Sequence, residues 1–296
     1  MKTITILSGK GGVGKSSITS SLAMVAAAGR KITAADCDVD ASNLALVLGL
    51  RDEDIKDWKW IETSEKAVLD TEKCIHCGKC RDVCKFSAVG WDEKKKMPVF
   101  SDLLCEGCGT CGLVCPSGAI SLKRVKNARI GTGKTKYGFT VVTGQLKMGE
   151  SGSGKVVMAV KDKAMEVAKK NGSEIMFVDS AAGIGCPVIA SVNGSDYVIA
   201  VTEPTPSAMS DMERALKVAD HFGILYGIVI NKWDLNPAFS GKIEKFAKER
   251  GIPVLGKIPY DRKFVEALVN LRPVVTYGKK YEKIFSGILE KIRIIE

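Results

Sequence analysis

Two stretches of this sequence carry residue types at spacings that do chemistry. Residues 74–84, "CIHCGKCRDVC", place Cys74, Cys77, Cys80 and Cys84 in the order C-x2-C-x2-C-x3-C. Adding 31 to each number gives Cys105, Cys108, Cys111 and Cys115, so the motif occurs twice, and "KFSAVGW" after the first copy corresponds to "PSGAISL" after the second. Zinc ribbons use two separated C-x2-C knuckles to build one tetrahedron. Three thiolates spaced three apart instead suit three corners of an iron–sulfur cubane, with the fourth cysteine crossing to the other cluster. That logic assigns Cys74, Cys77, Cys80 and Cys115 to one [4Fe–4S] cluster and Cys105, Cys108, Cys111 and Cys84 to a second. The other stretch, Gly9–Ser16, reads "GKGGVGKS" and fits G-x4-G-K-[ST]. Its glycines let backbone N–H groups of Gly11, Gly12, Val13 and Gly14 converge on phosphate oxygens. Lys15 is expected to reach the β- and γ-phosphates, Ser16 to ligate Mg²⁺, and Ser17 to border the nucleotide.

The elements around these stretches explain their placement. "TITILS" is a short strand before the glycines, and "ITSSLAMVAAAG" reads as a helix stopped near Gly29. Further apolar runs at 31–40, 174–180, 196–203, 226–232 and 253–259 each end in polar residues, with helical segments between them. This alternation indicates a mostly parallel sheet covered by helices on both faces, an α/β fold of the P-loop NTPase type. Ligands collect at the C-terminal ends of such strands, where Lys10, Asp38, Asp179 and Asn231 fall. The pattern breaks over 58–140, which reads as an inserted small α+β module between 1–57 and 141–296.

Composition limits the alternatives. The 296 residues are 45% hydrophobic and 26% charged, with ten cysteines and a net charge of +10, which suits a globular chain. The lysines are scattered rather than interleaved with aromatics, so no nucleic-acid partner is expected. No apolar run approaches the ~20 residues of a membrane span, and no secretory pattern precedes the first strand. Reduced thiols and a cytoplasmic location follow as expectations.

The cysteine stretch resembles two-cluster bacterial ferredoxins over some fifty residues; the second copy ends in Cys-Pro as they do, while Lys85 replaces that proline in the first. The "KGGVGKS" loop, with its additional Lys10, resembles the deviant phosphate-loop ATPases: MinD, ParA, the Mrp-type iron–sulfur carriers and the nitrogenase iron protein. "DCDVDASNL" (36–44) is similar to their switch I, "VDSAAGIGCP" (178–187) to switch II, and "VTEPTPSAMSDMERAL" and "INKWDLN" match further on. The resemblance implies a homodimer in which Lys10 reaches the partner's phosphates. It also implies that Asp38 orients water, with Asp36 structural, that Asp179 stands at the Mg²⁺ shell, and that Asn231 contacts adenine. N-K-x-D also reads guanine in classical GTPases through the aspartate, here Asp234; ATP is the favoured nucleotide.

The implied function is ATP binding and hydrolysis coupled through dimerisation to electron transfer, or to metallocofactor maturation, of a client metalloprotein or redox partner. Two alternatives stand beside it: an iron–sulfur carrier or scaffold gated by ATP, and a MinD- or ParA-type positioning ATPase with a redox-sensing insert. "GESGSGKV" (149–156) mimics the phosphate loop but lacks the metal-binding hydroxyl and a preceding strand, and is expected to be a flexible loop. Cys37 and Cys186 are expected to be buried, inert thiols, although Cys186 lies seven residues after Asp179, the spacing of a cluster ligand in the nitrogenase iron protein. His76 reads as exposed or as a neighbour of the cluster ligands, and His221 as structural. Ile284, Ile288, Leu289, Ile292 and Ile295 share one helical face, expected to pack on the chain's own domain rather than to bind a membrane.

Overall fold

The β-branched run at the N-terminus forms strand β1 (Lys2–Ser8), buried from its second residue onward. The computed structural model describes residues 1–150 and 153–292. Eight more strands join β1: β2 (Ile32–Cys37), β3 (Lys56–Ile61), β8 (Ala128–Lys134), β9 (Thr140–Leu146), β10 (Ile175–Ala182), β11 (Tyr197–Thr202), β12 (Leu225–Asn231) and β13 (Val254–Ile258). Their order is β13-β12-β11-β1-β10-β2-β9-β8-β3. The pairs from β13 to β9 are parallel. Every residue of β2 and β11 is buried, as expected of strands covered on both faces.

The covering helices set apolar residues against the sheet. In α1 (Lys15–Ala27), Ile18, Leu22 and Ala26 recur at helical spacing and pack into the core beneath the sheet. On the other face, α7 (Pro206–His221) buries Ala208, Met212, Ala215, Leu216 and Ala219. Thr205 caps α7 by accepting the Ala208 N–H at 3.2 Å. The last helix, α10 (Lys279–Glu290), seats Tyr281, Phe285 and Ile288 in the core, with Ile284 and Leu289 packed beside them. The apolar C-terminal face is therefore used internally; Ile295 lies outside the described residues. Among the described residues no helix is long and apolar enough to cross a membrane.

The loop expected over 149–156 is corrected. Residues 153–156 are the first turn of α5 (Ser153–Asn171), while Ser151 and Gly152 lie outside the described residues. The reason is apolar spacing: Val156, Val157, Val160, Ala164 and Ala168 are all fully buried and draw this segment into the helix. Lys161 of α5 donates to the carbonyls of Ala190, Ser191 and Asn193, which terminate α6 (Cys186–Val192).

The chain divides into two compact units. The first contains 1–58, 130–145 and 153–296; the second contains 59–129 and 146–152. The expected module of 58–140 thus differs at its end, because Gly131 and Gly133 of β8 pack against Ile55, Trp58 and Leu50 within the first unit. The second unit has β4 (Ser64–Leu69) paired antiparallel with β7 (Ile120–Val125), and β5 (Val89–Asp92) paired antiparallel with β6 (Met97–Phe100). Two short helices, α3 (Lys79–Val83) and α4 (Thr110–Leu113), each follow a left-handed glycine, Gly78 and Gly109. Three of the six residues of its buried apolar cluster are cysteines, Cys80, Cys105 and Cys111, beside Ala67, Ala88 and Val89. So small an apolar core is characteristic of domains that gain stability from a bound metal group.

Candidate functional site

In the first unit the phosphate loop links β1 to α1, the strand-to-helix context that presents backbone N–H groups at a helix N-terminus. Gly14 has φ +92°, and a Cβ there would stand 2.5 Å from the Asn231 side-chain nitrogen. A Cβ on Gly9 would stand 2.1 Å from the Asp211 backbone. Close approach requires both glycines, and at Gly14 the left-handed turn requires it as well.

Lys15 is buried and its Nζ lies 2.9 Å from Asp179 Oδ1 and 3.9 Å from Asp38 Oδ2. Burial alone would lower the Lys15 pKa, but Asp179, Asp38 and Asp36 more than offset this and hold it above the usual lysine value. Thr19 donates to the same Asp179 oxygen at 2.8 Å. Asp179 Oδ2 is buried without a hydrogen-bond partner among the described residues. An acceptor left in that state fits the hydration shell of a divalent cation, alongside the half-buried Ser16 at the start of α1. Ser17 is also half-buried, and its carbonyl accepts from the Ser20 and Ser21 hydroxyls.

Asp36 is fully buried and accepts the Leu44 N–H at 3.0 Å. Burial, reinforced by Asp179, pushes its carboxyl well above the usual range. Asp38 is raised as well, mainly by burial, with Lys15 pulling the other way. At the end of β12, buried Asn231 donates to the Val13 carbonyl at 2.8 Å. Lys232, in the left-handed region at φ +54°, donates to the Gly12 carbonyl at 3.4 Å and to Glu203 at 3.0 Å. Exposed Lys10 stands 3.6 Å from the other oxygen of Glu203. Asp234 accepts the Tyr260 N–H at 2.6 Å.

Thr19, Glu203 and Lys232 belong to this constellation but were not expected from the sequence. Thr19 had a legible signal, since it lies one turn after Lys15 on the same helical face. Glu203 had none. Cys37 is buried as expected, and burial raises its thiol far above the usual value. Cys186 is corrected: it is exposed, because α6 begins at this residue and turns Val188 and Val192 inward instead. His221 is exposed and meets Phe222 edge-on.

In the second unit the eight repeated cysteines divide between two cavities. Cys74, Cys77, Cys80 and Cys115 line one; Cys84, Cys105, Cys108 and Cys111 line the other. Each wall takes three thiols from one repeat and the fourth from the other. No three His, Cys, Asp or Glu side chains among the described residues converge as ligands of a single ion would. Four thiols facing one cavity, the fourth drawn from the other repeat, fit a cluster with several metal atoms better than a single ion.

Backbone N–H groups point at three of the sulfurs. Ala67 donates to Cys105 at 3.4 Å, Ala88 to Cys84 at 3.3 Å and Ala119 to Cys115 at 3.3 Å. Burial raises the thiols of Cys80 and Cys111. Hydrogen bonding to Thr110 lowers that of Cys108. For Cys115, burial is outweighed by donors from Ser117, Gly118 and Ala119. Lys66 is buried, donates to the Cys105 carbonyl at 2.9 Å and pairs with Glu150 at 3.2 Å; it was not foreseen. His76 is exposed, with Nδ1 2.7 Å from the Lys96 carbonyl.

Comparison with known proteins shows the family. A family model described as the CobQ/CobB/MinD/ParA nucleotide binding domain matches residues 4–274. An uncharacterised protein of Methanocaldococcus jannaschii is 42% identical over 234 residues, 79% of each chain. An iron–sulfur cluster carrier protein of Pyrococcus abyssi is 26% identical over 303 residues, spanning 98% of this chain and 84% of that one. Among solved structures, the septum site-determining protein MinD of Pyrococcus horikoshii, complexed with Mg-ADP, shares the fold at TM-score 0.58 and 20% identity, covering 100% of this chain and 98% of that chain. With its phosphate loop, Lys15 on Asp179 and Asn231 against Val13, the chain belongs to the CobQ/CobB/MinD/ParA nucleotide-binding family.

Proposed function

We propose that this chain is a Mg²⁺-dependent ATPase with an inserted two-cluster ferredoxin module, in which ATP-driven dimerisation is coupled to electron transfer to, or maturation of, a client metalloprotein. The observation that carries this reading is the division of eight thiols into two crossed quartets around separate cavities, on a chain that also bears a complete phosphate loop. Cys74, Cys77, Cys80 and Cys115 would hold one [4Fe–4S] cluster, and Cys84, Cys105, Cys108 and Cys111 the other. Such clusters supply reversible one-electron storage.

In the nucleotide site, Lys15 leaves Asp179 for the phosphates, and Ser16 and Asp179 face the Mg²⁺ shell. The cation neutralises charge on the β- and γ-oxygens when bound. Asp38 orients the attacking water, and Lys10 leaves Glu203 to act on the nucleotide of a second copy. The Asp234 carboxylate is engaged by Tyr260, which favours adenine over guanine as the base. Competition of GTP against ATP tests this directly.

A second reading, a carrier that passes assembled clusters to apo-proteins with ATP as the gate, draws on the likeness to the Pyrococcus abyssi carrier. Transfer to an apo-acceptor separates the two. The first test is common to both: the anaerobically purified chain should contain about eight iron and eight sulfide per molecule. One or two zinc ions, without visible charge-transfer absorption, would overturn both.

A further inference from the structure

The second unit is built from two repeats offset by 31 residues, so each position has a counterpart in the other half. A donor to sulfur that one half has and the other lacks makes the two thiol quartets electrically unequal. Lys66 and Ala67 on β4 correspond to Met97 and Pro98 on β6. Ala67 lines the Cys84/Cys105/Cys108/Cys111 cavity, and Pro98 lines the Cys74/Cys77/Cys80/Cys115 cavity. The Ala67 N–H donates to Cys105 Sγ at 3.4 Å. Proline has no N–H, so Cys74, the counterpart of Cys105, receives nothing from that position.

Lys66 secures the arrangement on the Cys105 side, binding the Cys105 carbonyl next to Ala67, whereas Met97 has no charge or donor for that purpose. A second difference acts in the same direction. The Thr110 hydroxyl lies 3.3 Å from Cys108 Sγ, and its counterpart Lys79 has no hydroxyl. The Ala88 and Ala119 donors are counterparts at the same distance and cancel. At Cys115 the Ser117 hydroxyl, 3.6 Å away, and the Ser117 and Gly118 N–H groups favour the other quartet, while the Thr110 N–H adds to the Cys108 side. The flanking charges Lys79 and Glu106 also oppose the difference, but both are exposed and screened by water.

A donor aimed at sulfur stabilises the additional negative charge of the reduced state and raises the potential. We propose that the Ala67 N–H and the Thr110 hydroxyl, against the missing donor at Pro98, make the Cys84/Cys105/Cys108/Cys111 site the electron-accepting end of the module. This rests on the cluster reading above. An electron supplied by an external one-electron donor protein is then lost at the Cys74/Cys77/Cys80/Cys115 site and gained at the other; no bond forms or breaks and no proton moves.

The test is a potentiometric titration of the anaerobically purified full chain, followed by electron paramagnetic resonance. Two one-electron steps are expected, separated by at least a tenfold difference in electron partition, about 59 mV. Pro98→Ala restores an N–H and should raise the lower potential alone. Thr110→Val, which removes a hydroxyl, should lower the upper one alone. Coincident wild-type potentials, or two variants that move the same step, would overturn this inference while leaving an iron and sulfide content of about eight each intact. Zinc in place of iron would overturn the cluster reading itself, and this inference with it.

Discussion

Asp36 and Asp179 are register partners on adjacent strands β2 and β10, both fully buried, and each keeps one carboxylate oxygen without a hydrogen-bond partner among the described residues. Two acids this close in a dry site are costly to ionise together. Burial, then Asp179, places the Asp36 pKa well above normal. The folded chain therefore holds that proton more tightly than the unfolded chain. Its contribution to stability is complete below the unfolded value of about 3.9 and is lost as pH rises through the folded value.

Asp36→Asn should remove that loss. In nucleotide-free protein the variant is expected to match wild type near pH 3.5, roughly below the unfolded carboxyl value, and to be the more stable near neutrality. Each pH unit spanned by the shift contributes up to about 1.4 kcal/mol. Denaturant unfolding at a series of pH values measures it; a pH-independent difference would mean that Asp36 is not protonated in the folded state.

Lys15→Met should abolish ATP binding and also destabilise the free chain by about 3–5 kcal/mol, since it strands Asp179 as an unpaired buried charge. Adding Asp179→Asn should recover most of the stability and none of the binding. Unfolding curves and nucleotide titrations on the same preparations distinguish the two effects.

Lys10 is exposed and held by Glu203 from its own subunit. Lys10→Ala should retain ATP binding yet lose nucleotide-dependent dimerisation, with hydrolysis falling by about 10³-fold or more, the range for a cation supplied in trans. Sedimentation with a non-hydrolysable analogue is the check; a monomer that hydrolyses ATP at the wild-type rate would refute the proposed role.

The Cys84 thiol lines the cavity of Cys105, Cys108 and Cys111 rather than that of its own repeat. Cys84→Ser should therefore damage the second cluster and spare the one assigned to Cys74, Cys77, Cys80 and Cys115. Resonance spectra of the reduced variant should retain the lower-potential signal. Loss of that signal instead would indicate that each repeat closes on itself.

Lys66→Met should cost about 1–3 kcal/mol, because the half-buried Glu150 would lose its cation and the Cys105 carbonyl its donor. Lys66→Met combined with Glu150→Met should recover most of this. Iron release on mild denaturation reports whether the loop carrying Cys105 has loosened.

Local spacing made much of this protein legible. The phosphate loop, the doubled cysteine motif and the strand-ending polar residues each depend on neighbours within a few positions, so the sequence alone determined the sheet-and-helix alternation and the candidate ligands. It did not reveal the helix beginning at residue 153, because the glycines at 149, 152 and 154 made its start read as a loop and concealed the burial pattern of Val156, Val157 and Val160. Nor did it reveal that Cys186 faces solvent, which depends on the face that α6 turns inward.

Tertiary structure alone decided the pairings between distant segments: Thr19 on Asp179, Glu203 between Lys10 and Lys232, and Lys66 beneath Cys105. Thr19, Glu203 and Lys66 are not among the residues that the motifs name for a role; each is selected by the charge or donor that the parallel sheet, or the antiparallel pairing of β4 with β7, brings alongside. The unequal donors at Ala67 and Pro98 have the same origin. Both residues are plain in the sequence, but only the fold aims one backbone at a sulfur and leaves its counterpart with nothing to donate.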